Sequence, residues 1–341
     1  MFGGCGLRSA FVVGTRVFRR AFAAGLVLLG IVVAILWFVP SNDFIFLPDP
    51  ATPADEVIHV PGEAENAAES EGGIYFLDVH VRKASVLETL IPGLREGASI
   101  VPAEVYNPER LSFEERREAS LHEMSASQQI AIAVALRSLD YDVLEGGAEV
   151  VSVRTGFPAS GKLKVGDVIV EARSVSVVSP EELADAMRGV HPGEPVRIRL
   201  LRDGVSRELE LDTRGAPGDP DRAVFGIQVQ PELTFPIDVT IDAGNVGGPS
   251  AGLAFALDVV DELGEDVDRG RRIAVTGELN LDGTVAPIGG MKQKTFGARE
   301  AGATVLIVPK ENAAEARRYA DGLTIVPVSS FRQALSYLTK V

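Results

Sequence analysis

Two segments of this chain hold side chains whose types and spacing could do chemistry. Gly247-Gly248-Pro249-Ser250-Ala251-Gly252 is a glycine turn that opens an apolar helix, with a serine at its start. Thr276-Gly277-Glu278 follows, and then Pro287-Ile288-Gly289-Gly290-Met291-Lys292-Gln293-Lys294. No histidine occurs after His191, so this half of the chain cannot build a Ser-His-Asp triad by itself. A serine attacking here needs another base, and lysine is the available one. Residues two apart on a helix point ~200° apart, so one of Lys292 and Lys294 faces the serine and the other does not. Met291, Lys294, Thr295, Ala298, Ala301 and Gly302 share one side, with Phe296 fitting poorly. Lys292, Arg299 and Glu300 take the polar side. Lys294 is therefore the expected base, because burial disfavours its ammonium form and lowers its pKa. The N–H groups at the helix start under Ser250 suit a developing oxyanion, and Thr276 could hold the lysine amine. The plain alternative is a capped turn into a helix, with a lysine that snorkels to water.

These residues also carry a resemblance. From about Phe235 to Val328 the chain resembles the proteolytic domain of Lon proteases. The matching motifs are Gly248-Pro249-Ser250-Ala251-Gly252, Thr276-Gly277-Glu278, Gly283-Thr284-Val285, Pro287-Ile288-Gly289-Gly290, Lys294, and Val305-Leu306-Ile307-Val308-Pro309 with Glu311-Asn312. The resemblance implies a Ser-Lys dyad of Ser250 and Lys294, supported by Thr276, Gly248, Pro249 and Ala251. It also implies self-association through this domain. One departure stands out: many Lon enzymes carry an acidic residue before Gly-Pro-Ser, whereas this chain has Gly247.

The elements that must position the dyad occupy a chain of 341 residues, long enough for two or three domains. Its formal net charge of −15 argues against a nucleic-acid partner. Cys5 is the single cysteine, and the four histidines show no ligand spacing, so neither a disulfide nor a metal or other cofactor is expected. Residues 21–39 lack charged side chains and follow Arg8, Arg16, Arg19 and Arg20. They read as a retained transmembrane helix with residues 1–20 cytoplasmic and the rest of the chain outside, in preference to a cleaved signal peptide. Residues 40–73 read as a linker, richest in Pro, Ala, Glu and Asp from 48 on. An α/β segment is expected over 74–145, with a strand at Ile74–Val81, a short helix at Ser85–Leu94 and a long one at about Ser112–Leu139.

Short strands with one helix at Pro180–Arg188 fill residues 146–213. Gly156-Phe157-Pro158-Ala159 and Leu163-Lys164-Val165-Gly166-Asp167-Val168-Ile169 resemble a bacterial PDZ domain, as do Pro192-Gly193 and Arg202-Asp203-Gly204. The resemblance implies capture of a peptide C-terminus by strand addition. Gly146-Gly147 is the expected carboxylate loop. Gly156 to Lys162 also imitates a phosphate-binding loop, but Leu163 replaces the required Ser or Thr. The expected fold is thus an α+β multidomain chain. It joins a transmembrane helix, a β-rich PDZ-like domain and a C-terminal α/β Lon-type domain over 225–341.

The expected function is an ATP-independent, extracytoplasmic serine endopeptidase acting on unfolded or flexible protein segments. A strand at about Leu233–Ile241 would pair with the substrate. The other reading is a PDZ-based scaffold with an inactive Lon-like domain.

Overall fold

The computed structural model describes residues 7–60, 72–91, 93–108, 111–264 and 266–340, with side chains from residue 22 onward. The chain divides into two units. The first comprises Met1–Leu47 with His80–Pro108, the second Pro48–Val79 with Glu109–Val341.

The first unit holds the helix Leu7–Phe38 and the strand Pro40–Pro48. That strand is the centre of a sheet whose flanking strands are Val79–Ser85 and Ser99–Val101. Helix Val86–Leu90 is closed by a capping box of Ser85 and Glu88. Glu88 accepts from Arg82 and Arg95, which hold its carboxyl near 2, with the Arg82 contact dominant.

The expectation of a single-pass membrane protein with an external catalytic half is corrected here. Among the described residues no helix is long and apolar enough to cross a membrane. The helix Leu7–Phe38 ends before Pro40, where the chain turns into a strand. Residues 40–60, read as part of a linker, hold strands Pro40–Pro48, Thr52–Pro53 and Ile58–His59. Residues 61–71 of that linker lie outside the described residues.

In chain order the main elements of the second unit are β1 (Gly73–Phe76), α1 (Phe113–Ser138), β2 (Leu144–Val153), β3 (Val168–Ala172) and α2 (Pro180–Ala186). Then come β4 (Val196–Arg202), β5 (Val205–Leu211), β6 (Ile227–Thr234), α3 (Gly252–Glu262) and β7 (Arg272–Val275). It ends with α4 (Met291–Glu300), β8 (Val305–Pro309), α5 (Ala313–Tyr319), β9 (Thr324–Val328) and α6 (Phe331–Lys340).

Strands β1, β7, β8 and β9 run parallel in that order, with Thr52–Pro53 antiparallel on the outer edge of β1. β7 and β8 are almost wholly apolar and buried, as a sheet covered on both faces requires. Side chains alternate between the faces. Ile273, Val275 and Ile307 meet α1, α3 and α6, while Ala274, Leu306 and Val308 meet α4 and α5. The sheet thus forms the middle of three layers. Ile74–Val81, expected as one strand, breaks at Leu77-Asp78 because the two halves join different sheets.

The inserted β-rich part is an antiparallel sheet of order β5-β4-β3-β2-β6, with α2 packed on it. Arg202 grips the buried Asp167 in a bidentate pair with both distances 2.6 Å. Leu163, at the position where a nucleotide loop would need a hydroxyl, is buried in this core.

Candidate active site

Three backbone features aim the reactive groups. Gly248 has φ +84°, a conformation that costs glycine little, and it turns the chain so that Pro249–Ala251 forms a single 3₁₀ turn ahead of α3. Ser250 rides on this turn, half-buried. Thr276 follows β7 directly, and its N–H donates to the Ile307 carbonyl of β8. Gly290, with φ +70°, starts α4, and Lys294 lies one turn further on, its N–H donating to the Gly290 carbonyl.

Lys294 Nζ lies 2.5 Å from Ser250 Oγ and 3.0 Å from Thr276 Oγ1. Thr276 Oγ1 in turn donates to the Ser250 carbonyl at 3.1 Å, and the Gly277 N–H donates to the same carbonyl at 2.9 Å. Lys294 is 3% exposed and Thr276 is fully buried. Desolvation lowers the Lys294 pKa to about 7, against the opposing pull of the Asp78 carboxylate. Lys292 sits instead over the Tyr319 ring, 5.7 Å from its centroid.

A lysine that loses its proton near neutrality, in contact with a serine hydroxyl, can act as a general base toward it. Ser250 and the buried Ala251 belong to a helix start, where N–H groups have no intrahelical partner and can face an oxyanion. Thr276 ties both dyad members together. Thr276→Val should therefore lower kcat between about ten- and a hundredfold, the usual cost of a misplaced reacting group, with the fold intact by circular dichroism.

Gly146 and Gly147 are not brought to a peptide site. They lie within β2, where the register with β6 shifts at a bulge. A Cβ on Gly147 would stand 2.7 Å from the Ile169 carbonyl, so glycine serves close strand approach. The groove of the PDZ-like part lies elsewhere, between β6 and α2. This cavity of about 1020 Å³ is lined by both polar and apolar residues, the apolar ones including Leu183, Met187, Val190, Phe225, Ile227 and Val229.

The groove was missed in the sequence because β6 lies beyond residue 213, the expected end of that domain. The available signal was Phe225-Gly226-Ile227 ahead of an alternating run, with Gly226 at φ +83° against the Phe157 ring. The segment expected to pair with substrate, 233–241, instead ends β6 and pairs Thr240–Ile241 with Ile58–His59.

Two family models match. The Lon protease (S16) C-terminal proteolytic domain covers residues 225–339, and the PDZ domain covers residues 130–213. The chain is 34% identical over 125 residues to a Lon protease of Rickettsia bellii, which is 35% of this chain and 16% of that protein. It is 35% identical over 103 residues to Lon protease 2 of Bacillus subtilis, 30% of this chain and 18% of that protein. The chain thus spans less than a fifth of the length of these relatives. Among solved structures, the PDZ domain of an SdrC-like protein from Listeria innocua matches at 26% identity and a TM-score of 0.23, covering 25% of this chain and 93% of that one.

Proposed function

We propose that this chain, in which a PDZ domain precedes a Lon-type S16 proteolytic domain, is an ATP-independent serine endopeptidase that captures unfolded segments or C-termini in its PDZ groove. The observation that carries the reading is the 2.5 Å approach of a buried lysine amine to Ser250 Oγ. Neutral Lys294 takes the Ser250 proton as Oγ attacks the scissile carbonyl. The carbonyl oxygen becomes an oxyanion facing the N–H groups of the first helical turn. Collapse expels the leaving amine, which receives the proton from Lys294. Water then attacks the acyl ester, giving its proton to Lys294, and Ser250 is regenerated. Each reacting group lies in the proteolytic domain, and no step consumes a nucleotide.

The PDZ part of the proposal rests on β6. It is the end strand of its sheet, so its outer edge can accept an extended peptide. The apolar residues beside it, among them Leu183, Met187 and Val190, suit an apolar terminal side chain. Met187→Glu would put a carboxylate among these residues. It should weaken binding of a peptide ending in valine by at least about tenfold, with hydrolysis of a short peptide unchanged. Fluorescence polarisation of the labelled peptide reads this.

The function itself is tested by incubating the protein with an unfolded, carboxymethylated protein in the absence of ATP. Internal cleavage that disappears in Ser250→Ala supports the proposal. Binding without cleavage would favour the scaffold reading.

A further inference from the structure

Helix α1 reaches the nucleophile turn directly. Ser127 is 3% exposed, and its hydroxyl donates to the Pro249 carbonyl, immediately before Ser250, at 3.1 Å. Two turns earlier on the same helix, the Ser120 carbonyl accepts from the Gly248 N–H at 2.9 Å. Serine inside a helix ordinarily bonds a carbonyl of its own preceding turn. Ser138 does this in α1, donating to Ala135. Ser127 spends its hydroxyl on another element instead.

The neighbouring glycines fit this arrangement. A Cβ on Gly252 would stand 2.6 Å from Ser127 Oγ, so a side chain there would drive the hydroxyl off Pro249. A Cβ on Gly247 would stand 2.3 Å from Ser120 Oγ and 3.0 Å from Ser120 Cβ. The glycine that replaces an acidic residue before Gly-Pro-Ser therefore sits where α1 fills the space. The turn is held from α1 on the Gly248 and Pro249 side, and from Thr276 and Gly277 at the Ser250 carbonyl.

We propose that Ser127 is a positioning residue for the nucleophile, fixing the Gly248-Pro249-Ser250 turn from helix α1 so that Ser250 Oγ meets Lys294. The inference rests on the serine chemistry proposed above. It acts through geometry: a misplacement of about 1 Å between reacting groups costs on the order of a hundredfold in rate.

The experiment uses the full chain and three variants: Ser127→Ala, Gly252→Ala and the double variant. Peptide hydrolysis and amide hydrogen exchange over residues 247–252 are measured on each. Ser127→Ala should lower kcat by roughly ten- to a hundredfold, with KM within about twofold and the midpoint of the pH profile unmoved. Exchange at the turn should quicken. Gly252→Ala should do the same, although alanine is the better helix former. Because both act through one hydroxyl, the double variant should be no worse than the worse single.

Unchanged turn exchange in Ser127→Ala overturns the proposal, as does unchanged kcat in an active protein or a fully additive loss in the double variant. If the wild type cleaves nothing, the proteolytic reading fails on its own, while hydrogen exchange still decides whether Ser127 holds the turn.

Discussion

Ser250→Ala and Lys294→Ala should each abolish peptide hydrolysis, with losses on the order of 10³-fold or more, whereas Lys292→Ala should keep most of it. The first removes the attacking atom and the second the group that takes its proton, and partners that act as one unit fail together. The double variant should therefore be no slower than either single one. Lys292, two residues away, points to the Tyr319 ring and contributes its charge elsewhere. Initial rates on one unfolded substrate, with the circular dichroism of each variant, check this. A dead Lys292→Ala beside an active Lys294→Ala would reverse the assignment.

The pH dependence follows from the same burial. Desolvation lowers the Lys294 pKa to about 7, so the fraction of neutral amine rises as pH increases through 7. Because the neutral amine is the active form, kcat/KM should climb across that range and level off well below ~10.4, where an ordinary lysine titrates. Asp78 opposes the shift, so Asp78→Asn should move the rise to lower pH. Lys294→Arg should be inactive at every pH, because the guanidinium does not give up its proton.

Stability carries the same sign. The unfolded lysine binds its proton up to ~10.4 and the folded one releases it near 7, so the penalty of burying the charge is complete below pH 7. Unfolding free energy should then rise between about pH 7 and 10. The wild type should show this rise in urea titrations and Lys294→Met should lack it.

The approach of Lys294 to Ser250 was legible because each residue is placed by a local signal. A glycine turn into a helix exposes one serine, and helical period alone separates Lys294 from Lys292. Phe296, the misfit on the expected face, is half-exposed, while Gln293 and Gly297 are buried because α4 is covered on more than one side. Pairings across long stretches of sequence were not legible. β1 joins β7 in a parallel register some 200 residues away, and nothing in Gly73–Phe76 names that partner.

The same limit hid β6. It pairs antiparallel with β2 across the whole intervening domain and supplies one wall of the groove. Gly146-Gly147 misled because a glycine pair marks a bulge inside a strand as readily as a loop. The apolar run at residues 21–39 was read as a span from its composition and flanking arginines, whereas among the described residues no helix is both long and apolar enough to cross a membrane.

The most direct test of the central claim is the identity of the acylated atom. The protein is mixed with an excess of an activated peptide ester, quenched in acid within the first turnover, digested and read by mass spectrometry. The account expects one acyl group per active chain, on the peptide carrying Ser250, preceded by a burst of released alcohol and absent from Ser250→Ala. Turnover of the ester with acylation on another residue, or with none at Ser250 under conditions that trap the intermediate, would contradict it.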